Sequence, residues 1–335
     1  MSSIPLHLNR RGLLAAGGAL ASGGLLAACG DGTEDGETAD LAWSFTDDRD
    51  QTVDLDSQPQ SIVAFTGLAA ALYDYGVTVD GVFGPTVTAD GSPDIQAGRM
   101  PVDGLTIIGN AWGEFDIEKF ASVAPEILVS HFYAGFPLWF VPEERTEEVE
   151  QLAPTIGIEV SNGTLDEVIG RHTEIAVALG ADIESQEVVE AQDRYEAAGQ
   201  ALQEAAAQRP LKVMPVNAYP EVFYVGYLPK FTDLSMAAEL GVQFVEAEEP
   251  NEDGYWEELS WENADKYEAD VILLDARAGN LQPEDLTEFP TWNALPAVKA
   301  GQVYSWNPEP IYSHLGGAEA LEILTEAVTN SEPLS

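Results

Sequence analysis

The sequence predicts an α/β protein with two Rossmann-like lobes, each built on a mainly parallel sheet flanked by helices. Three observations lead to this prediction. Short apolar runs alternate with segments of helical spacing along the first half of the chain, and the alternation starts again after Pro210. A long helical stretch separates the two halves, so we expect a long connecting helix with a ligand cleft between the lobes.

The first lobe is predicted to span residues 41–163. It opens with a hairpin at 43–55, where alternating residues flank a turn-rich centre. Short buried strands are predicted at 61–65, 81–84, 105–109, 126–130 and 155–160. Segments of helical spacing between them predict helices at 68–75, 115–123 and 147–152. Strands that alternate with helices indicate a parallel sheet covered on both faces.

A predicted helical connector at 164–209 joins this lobe to a second lobe at 210–335. The helical pattern is interrupted near 180–182 and ended by Pro210. In the second lobe, strands are predicted at 211–218, 221–227, 243–245, 270–275 and 302–306. Its helices are predicted at 233–240, 261–267 and 318–328. A helical connector makes a stiff hinge, so we expect only small movements between the lobes.

Residues 1–28 have the features of a twin-arginine secretion signal, with a pair of arginines at 10–11 before an apolar run. The end of this run and Cys29 resemble a bacterial lipobox, in which the cysteine becomes the lipidated first residue. We therefore expect an extracytoplasmic protein anchored to the cell membrane through lipid on Cys29. A transmembrane helix and a buried thiol are the alternatives, but the run at 12–28 is short and glycine-rich for a span. Residues 29–40 predict a flexible acidic tether.

The chain is strongly acidic, with a formal net charge of −44 and only 14 lysine and arginine residues. Because phosphate binding needs clustered basic side chains, nucleic acid is excluded as a partner. Salt relieves self-repulsion of this size, so we expect the melting temperature to rise with NaCl concentration. Simple solubility is the alternative explanation of the charge. We expect a monomer.

Sequence motifs that indicate catalysis are absent. The chain has no Gly-x-Ser-x-Gly elbow, no Gly-x-Gly-x-x-Gly and no phosphate loop, so we expect that it is not an enzyme. A lipoprotein hydrolase stays the alternative. His131 and His314 both follow predicted strands, but the chain has only 4 histidines, and zinc sites usually show more of them at tighter spacing. No metal site is therefore predicted.

One short unit occurs once in each predicted lobe. Glu118 and Glu262 each stand in the first turn of a predicted helix, and each is followed by an acidic residue where the next strand begins. The helix macrodipole explains one such glutamate. The same unit in both halves indicates two related lobes that carry matched glutamates.

The whole mature chain resembles the lipid-anchored substrate-binding proteins of ATP-binding-cassette (ABC) importers, in the rigid-helix class that serves ferric siderophores, haem and cobalamin. The resemblance rests on the two glutamate units, on the order of lobe, long helix and lobe, and on four segments. These segments are 45–49, 53–55, 59–64 and 295–304.

This resemblance implies that the protein captures a ferric siderophore and delivers it to the permease subunits of an ABC importer for iron uptake. Glu118 and Glu262 would then dock on arginines of those membrane subunits. No cofactor is implied, because the siderophore itself supplies the ligands of the iron. Cobalamin or haem as cargo is one alternative, and a lipid-anchored surface receptor without transport is another.

Candidate ligand-binding residues follow from the predicted fold, because ligands of open α/β lobes lie beyond the carboxyl ends of the strands. The candidates are Trp112, His131, Tyr133, Trp139, Tyr219, Tyr224, Tyr312, Arg99 and Arg277. Aromatic walls suit a bulky, partly apolar ligand, although each ring alternatively packs within its own lobe. Arg277 is placed to pair with an anionic ferric chelate, and a salt bridge to Asp275 is the alternative.

Overall fold

The computed structural model describes residues 43–133, 135–161 and 163–334. Within these ranges the chain forms two α/β lobes with a helical connection, which confirms the predicted fold class. The signal, the acidic tether and Cys29 lie outside the described residues, and the predicted limits of the lobes and connector stay predictions. None of the helices in the described part of the chain has the length and hydropathy that a membrane span requires.

An antiparallel hairpin and a parallel five-stranded sheet form the first lobe. The hairpin pairs β1 (Trp43–Thr46) with β2 (Thr52–Leu55). The sheet strands are β3 (Ile62–Phe65), β4 (Gly81–Phe83), β5 (Thr106–Gly109), β6 (Ile127–Phe132) and β7 (Thr155–Glu159), in the order β5-β4-β3-β6-β7. The helices are α1 (Thr66–Asp74), α2 (Ile117–Val123) and α3 (Glu143–Leu152).

The central strand β3 of this sheet is apolar throughout, as expected for a parallel sheet covered on both faces. Every residue of β3 is buried, and β3 pairs in parallel with β4 on one side and β6 on the other. Parallel strands end at the same edge of a sheet. The segments that follow β3, β4 and β6 therefore gather at one edge of the first lobe.

Two helices connect the lobes, α4 (Leu165–Ala178) and α5 (Gln186–Gln208), with the predicted interruption between them. A capping box starts α4 and satisfies two backbone donors: the Thr164 hydroxyl accepts the Glu167 N–H, and the Glu167 carboxylate accepts the Thr164 N–H. This local signal explains why the connector becomes helical directly after the first lobe.

Helix α4 contributes side chains to both hydrophobic cores. Leu165, Val168 and Ile169 are buried in the core of the second lobe. Ile175 and Ala176 are buried in the core of the first lobe. Because a change in the angle between the lobes would pull one set out of close packing, α4 favours small movements over wide opening.

A six-stranded mixed sheet forms the centre of the second lobe. Its strands are β8 (Lys212–Ala218), β9 (Phe223–Gly226), β10 (Gln243–Phe244), β11 (Trp256–Leu259), β12 (Val271–Asp275) and β13 (Val303–Trp306). The order is β11-β9-β8-β12-β13, with β10 also paired to β8. Strands β10 and β12 are parallel to β8 and β13 is parallel to β12, whereas β9 is antiparallel to β8 and to the edge strand β11.

The helices of the second lobe are α6 (Thr232–Glu239), α7 (Pro283–Leu286), α8 (Pro290–Ala294), α9 (Pro296–Ala300) and α10 (His314–Thr329). Helix α10 packs closely against α4 and α5. A Cβ atom at Gly317 would lie 2.8 Å from Cδ1 of Ile169 and 2.9 Å from Cε2 of Tyr195. Glycine is required there because no larger residue fits without a shift of the packed side chains.

The structure differs from the sequence prediction mainly in the second lobe. The helix predicted at 261–267 is only a 3-10 turn, Trp261–Asn263, because Asn263 and Asp265 favour turns over helix interiors. Helix α10 begins at His314, before its predicted start, because the Ser313 hydroxyl caps the Gly316 N–H. Strand β11 and helices α7 to α9 are too short to show a clear period in the sequence.

Candidate functional site

A cleft of about 490 Å³ lies between the two lobes. The segments that follow β6, β12 and β13 contribute to it, as the rule for open α/β sheets requires. Both lobes line the cleft, with Trp112, Tyr133, Phe136, Trp139, Val160, Lys230, Phe231, Glu252, Asp253, Tyr255, Trp256, Arg277, Pro308, Glu309 and Tyr312.

The first lobe contributes an aromatic wall made of Trp112, Tyr133, Phe136 and Trp139. Trp139 is at its centre: its ring centroid lies 4.7 Å from that of Tyr133, 5.0 Å from that of Trp112 and 5.4 Å from that of Phe136. The rings meet at tilted or edge-to-face angles, which aromatic pairs prefer. Trp112 is 53% exposed, so part of its surface is open for contact with a ligand.

A backbone turn after β6 positions this wall. The Ser130 hydroxyl donates to the Trp139 carbonyl at 2.8 Å, and the Trp139 N–H donates to the His131 carbonyl at 2.9 Å. The indole N–H of Trp139 is buried and has no hydrogen-bond partner among the described residues. An acceptor group on a ligand would satisfy this donor.

The second lobe contributes charged groups to the cleft. Arg277, which follows β12, donates from Nη2 to Asp275 at 2.6 Å and from Nη1 to Glu309 at 2.5 Å. Burial would lower the pKa of Arg277, but the charges of Asp275 and Glu309 outweigh it and raise the pKa above its ordinary value. From the sequence, a salt bridge to Asp275 is the alternative to ligand contact by Arg277. This salt bridge is present, and the guanidinium also lines the cleft.

Three tyrosines of the cleft, one of them in the aromatic wall, carry phenol groups. Burial raises the pKa of Tyr133 and Tyr312 well above the ordinary value and that of Tyr255 to about 12. All three phenols are therefore neutral at ordinary pH. They offer O–H donors to a ligand that presents acceptor oxygens.

Five of the nine candidate residues line this cleft: Trp112, Tyr133, Trp139, Tyr312 and Arg277. These residues come from both lobes, and Trp112 and Tyr312 are 200 residues apart in the chain. The fold brings them together because the strand ends that carry them face each other across the cleft.

Three other candidates lie outside the lining of the cleft. The rings of Tyr219 and Tyr224 contact each other, with centroids 6.1 Å apart, and the Tyr219 carbonyl accepts the indole N–H of Trp261. Arg99 is exposed in the first lobe and forms an ion pair with Asp74 at 3.4 Å. These three residues do not line this cleft, and their assignment as ligand contacts stays a prediction.

His131 lies behind the aromatic wall. It is 1% exposed, and its ring centroid lies 6.5 Å from that of Tyr133 and 5.5 Å from that of Tyr312. Its Nε2 is 3.1 Å from Nε2 of His172. Because Nδ1 of His172 lies 2.9 Å from the Val168 carbonyl, that nitrogen carries the proton, and His131 donates through Nε2. Burial lowers the pKa of both rings, that of His172 to about 4.

Several lining residues were missed by the sequence prediction. Tyr255 and Trp256 lie at the start of β11, an edge strand that the sequence does not predict. Glu309 follows β13 and is flanked by two prolines. The strand-end rule would have found Glu309 if it had been extended a few residues further along the chain.

A second cavity, of about 820 Å³, lies along β11 and is mainly acidic. It is lined by Glu249, Asn251, Glu252, Asp253, Glu257, Glu258, Leu259, Asn263, Asp265 and Lys266. In the described part of the chain, no group of three or more His, Cys, Asp or Glu side chains is arranged to hold a metal ion. This acidic groove adjoins the turn that carries Glu262.

Residues 67–310 match the family described as periplasmic binding protein. The chain belongs to this family. This periplasmic binding protein is similar to DesE, a ferric-siderophore receptor protein from Streptomyces coelicolor, with 47% identity and a TM-score of 0.84 over 88% of this chain and 100% of that chain. The family match over residues 67–310 confirms the family that the sequence resembles. It also places the protein outside the cytoplasm.

Two further proteins are more distantly similar to this chain. The Fe(3+)-citrate-binding protein YfmC of Bacillus subtilis (strain 168) is 24% identical over 191 residues, which cover 57% of this periplasmic binding protein and 56% of YfmC. The alignment thus spans little more than half of that relative. The siderophore periplasmic binding protein from the fuscachelin gene cluster of Thermobifida fusca has 21% identity and a TM-score of 0.60, covering 82% of this chain and 97% of that chain. At this identity the likeness concerns the fold alone.

Proposed function

We propose that this protein captures a ferric-siderophore complex outside the cytoplasm and delivers it to an ABC importer, without catalysing a reaction. The observation that carries the proposal is the interlobe cleft, which is lined by an aromatic wall, a charged pair and neutral tyrosine phenols. Such a lining suits a bulky chelate with an apolar backbone and a polar metal centre. The similarity to DesE, itself named a ferric-siderophore receptor, supports the same cargo.

A fluorescence titration tests the cargo. The mature protein, with Cys29 replaced, is titrated with ferric tris-hydroxamates, ferric tris-catecholates, haem and cobinamide, each beside its metal-free form where one exists. Three tryptophans line the cleft, so bound cargo should quench the emission: Trp112, Trp139 and Trp256. We expect saturable quenching by a ferric chelate at sub-micromolar concentration. Saturation only with haem or cobinamide would change the cargo, and no saturation with any probe would contradict the proposal.

We propose Glu118 and Glu262 as the docking residues for the permease subunits. Each is exposed, Glu118 in the first turn of α2 and Glu262 in the turn Trp261–Asn263, so each lobe presents one carboxylate. Surface charges of this kind guide orientation on a basic partner. The double variant Glu118→Arg/Glu262→Arg should keep its affinity for the ferric chelate and lose uptake in cells.

A matched control separates docking from general charge. Glu143 and Glu187 are also exposed and also stand in the first turns of helices, α3 and α5. The variant Glu143→Arg/Glu187→Arg changes the net charge equally and should leave uptake intact. If both double variants lose uptake to the same extent, or if the Glu118/Glu262 variant loses chelate binding, the docking assignment is wrong.

We also propose export through the twin-arginine route, lipid attachment at Cys29 and a monomeric binding protein. The sequence motifs described above support the first two, and the cleft supports the third because one chain supplies both of its walls. A Cys29→Ala variant should move from the membrane fraction to the soluble fraction and lose incorporation of labelled fatty acid. Membrane retention of that variant would contradict the anchor.

A further inference from the structure

The charged residues of the interlobe cleft carry a net negative charge. They are Lys230, Arg277, Glu252, Asp253 and Glu309, two cations against three anions. Asp275, buried directly behind Arg277, adds a further negative charge. Because the cleft has low solvent exposure on its inner side, this excess is felt more strongly than the same charge on an open surface.

The positive charge of Arg277 is largely committed to neighbouring carboxylates. Its Nε and Nη2 donate to Asp275, and its Nη1 donates to Glu309. Asp275 in turn accepts the Asn217 amide at 2.9 Å, which holds this carboxylate in place. A guanidinium with two carboxylate partners is a poor receptor for a strongly anionic ligand, since the anion would have to compete with both of them.

Glu309 retains an unused acceptor. Its Oε1 accepts from Arg277, whereas its Oε2 is buried and has no hydrogen-bond partner among the described residues. The residue is 9% exposed and lines the cleft between two prolines, which restrict the backbone that carries it. A buried carboxylate oxygen without a donor is costly, so a donor that arrives with a ligand is favoured there.

Glu309 lines the same cleft as Tyr133, Tyr255 and Tyr312. Burial, followed by the negative charge of Glu309, raises the pKa of Tyr133. The charge of Glu309 acts in the same direction on Tyr312 and Tyr255, again after burial as the larger cause. The carboxylate therefore lies among groups that would surround the cargo.

We infer that Oε2 of Glu309 is a subsite for a cationic ammonium group of the cargo, and that the cleft selects ferric chelates with no net negative charge. This inference rests on the proposed siderophore-binding function. Three monoanionic hydroxamates neutralise ferric iron, and a protonated amine at the end of such a chelate makes it cationic. Three dianionic catecholates leave the complex with three negative charges, which the carboxylates of the cleft disfavour.

A matched pair of probes tests the subsite. One probe is a linear ferric tris-hydroxamate that ends in a primary amine, and the other is the same chelate with that amine acetylated. Calorimetric titration gives both dissociation constants for the mature protein. A charge-assisted hydrogen bond in a buried site should make the amine probe bind about tenfold more tightly. A ferric tris-catecholate should bind more weakly than either probe.

Two substitutions locate the effect within the cleft. Glu309→Gln should bring the ratio of the two dissociation constants to within about twofold, because the amide keeps the size of the side chain and loses its charge. Glu143→Gln removes an exposed carboxylate outside the cleft and should leave the ratio near its wild-type value. The melting temperature of each variant reports whether it folds.

The ratio of the two dissociation constants in the wild type is decisive without any variant. The test therefore stands even if Glu309→Gln does not fold. Equal binding of the two probes, or a ratio that Glu309→Gln leaves unchanged, overturns the subsite. Preferred binding of the tris-catecholate overturns the charge selection while the siderophore function stands. Absence of binding by all three chelates overturns both the inference and the proposed function.

Discussion

Two Asp-x-Arg pairs, one in each lobe, share a local geometry and differ in their surroundings. Asp47 with Arg49 and Asp275 with Arg277 are each separated by one residue. In both pairs the arginine donates its backbone N–H to the aspartate at 2.9 Å and its Nε to the same carboxylate. The short sequence motif therefore forms the same hydrogen-bonded Asp–Arg pair in both lobes.

The neighbours of the two guanidinium groups are different. Arg49 has a side chain only 7% exposed and donates to the Thr155 carbonyl, while Asp47 accepts the Gly157 N–H. This pair fastens the β1–β2 hairpin to β7. Arg277 is 25% exposed, and Glu309 is its second partner at the wall of the cleft. Arg277 is therefore left open to the cleft, whereas β7 covers Arg49.

The largest expected effect breaks the structural pair. Asp47→Ala leaves a buried arginine without its partner and removes the acceptor of three backbone N–H groups, those of Arg49, Gln51 and Gly157. We expect the free energy of unfolding to fall by about 3–5 kcal/mol, measured by urea denaturation. The affinity of the folded fraction for a ferric tris-hydroxamate should stay unchanged. A loss below about 1 kcal/mol, in the range of an exposed ion pair, would contradict the structural role.

The same comparison shows what could be predicted from the sequence. Apolar runs and helical spacing predicted β3, β6 and α4, because these elements are defined by local periodicity. The strand-end rule also found the aromatic residues after β6 and the arginine after β12. It could not show that one Asp-x-Arg pair is covered by β7 and the other lies open, because that depends on contacts between distant segments.

Other features depended on pairings that leave little trace in the sequence. Tyr224 lies within β9 and is paired with Asn217 and Glu258 of the neighbouring strands, so it is not at a strand end, where candidate residues were expected. The second carboxylate partner of Arg277 is Glu309, which is 32 residues away in the chain. Such distances carry no periodicity, and only the fold brings the two groups together.

A smaller effect is expected at the junction of the two lobes, where His131 of the first lobe meets His172 of the connecting helix. Both pKa values are lowered in the folded protein, so the unfolded state binds more protons below about pH 6.5 and stability falls as the pH falls. The folded pKa of His172 is about 4. Protonation of this residue alone should therefore lower the free energy of unfolding by about 2 kcal/mol between about pH 7 and about pH 4.5.

The contribution of this histidine pair is measured as a difference, since many carboxylates titrate in the same range. Urea unfolding gives the free energy of unfolding of the wild type and of His172→Gln at both pH values. The contributions of the carboxylates cancel when the two proteins are compared. The wild type should lose more stability than the variant on acidification. Parallel losses in the two proteins would show that the buried histidines do not couple the junction of the lobes to pH.

The smallest effect compares two exposed aromatic residues, one in each lobe. Trp112 is 53% exposed and lines the cleft, whereas Tyr219 is 40% exposed and does not. Trp112→Ala should weaken the binding of a ferric tris-hydroxamate about threefold to tenfold, the contribution of one aromatic contact, with little change in melting temperature. Tyr219→Ala should leave the affinity unchanged. Calorimetry is preferable to fluorescence here, because Trp112 is itself a reporter. If Tyr219→Ala weakens binding as much as Trp112→Ala, the ligand extends beyond the cleft toward β9, and the aromatic wall of the first lobe is not the main apolar contact.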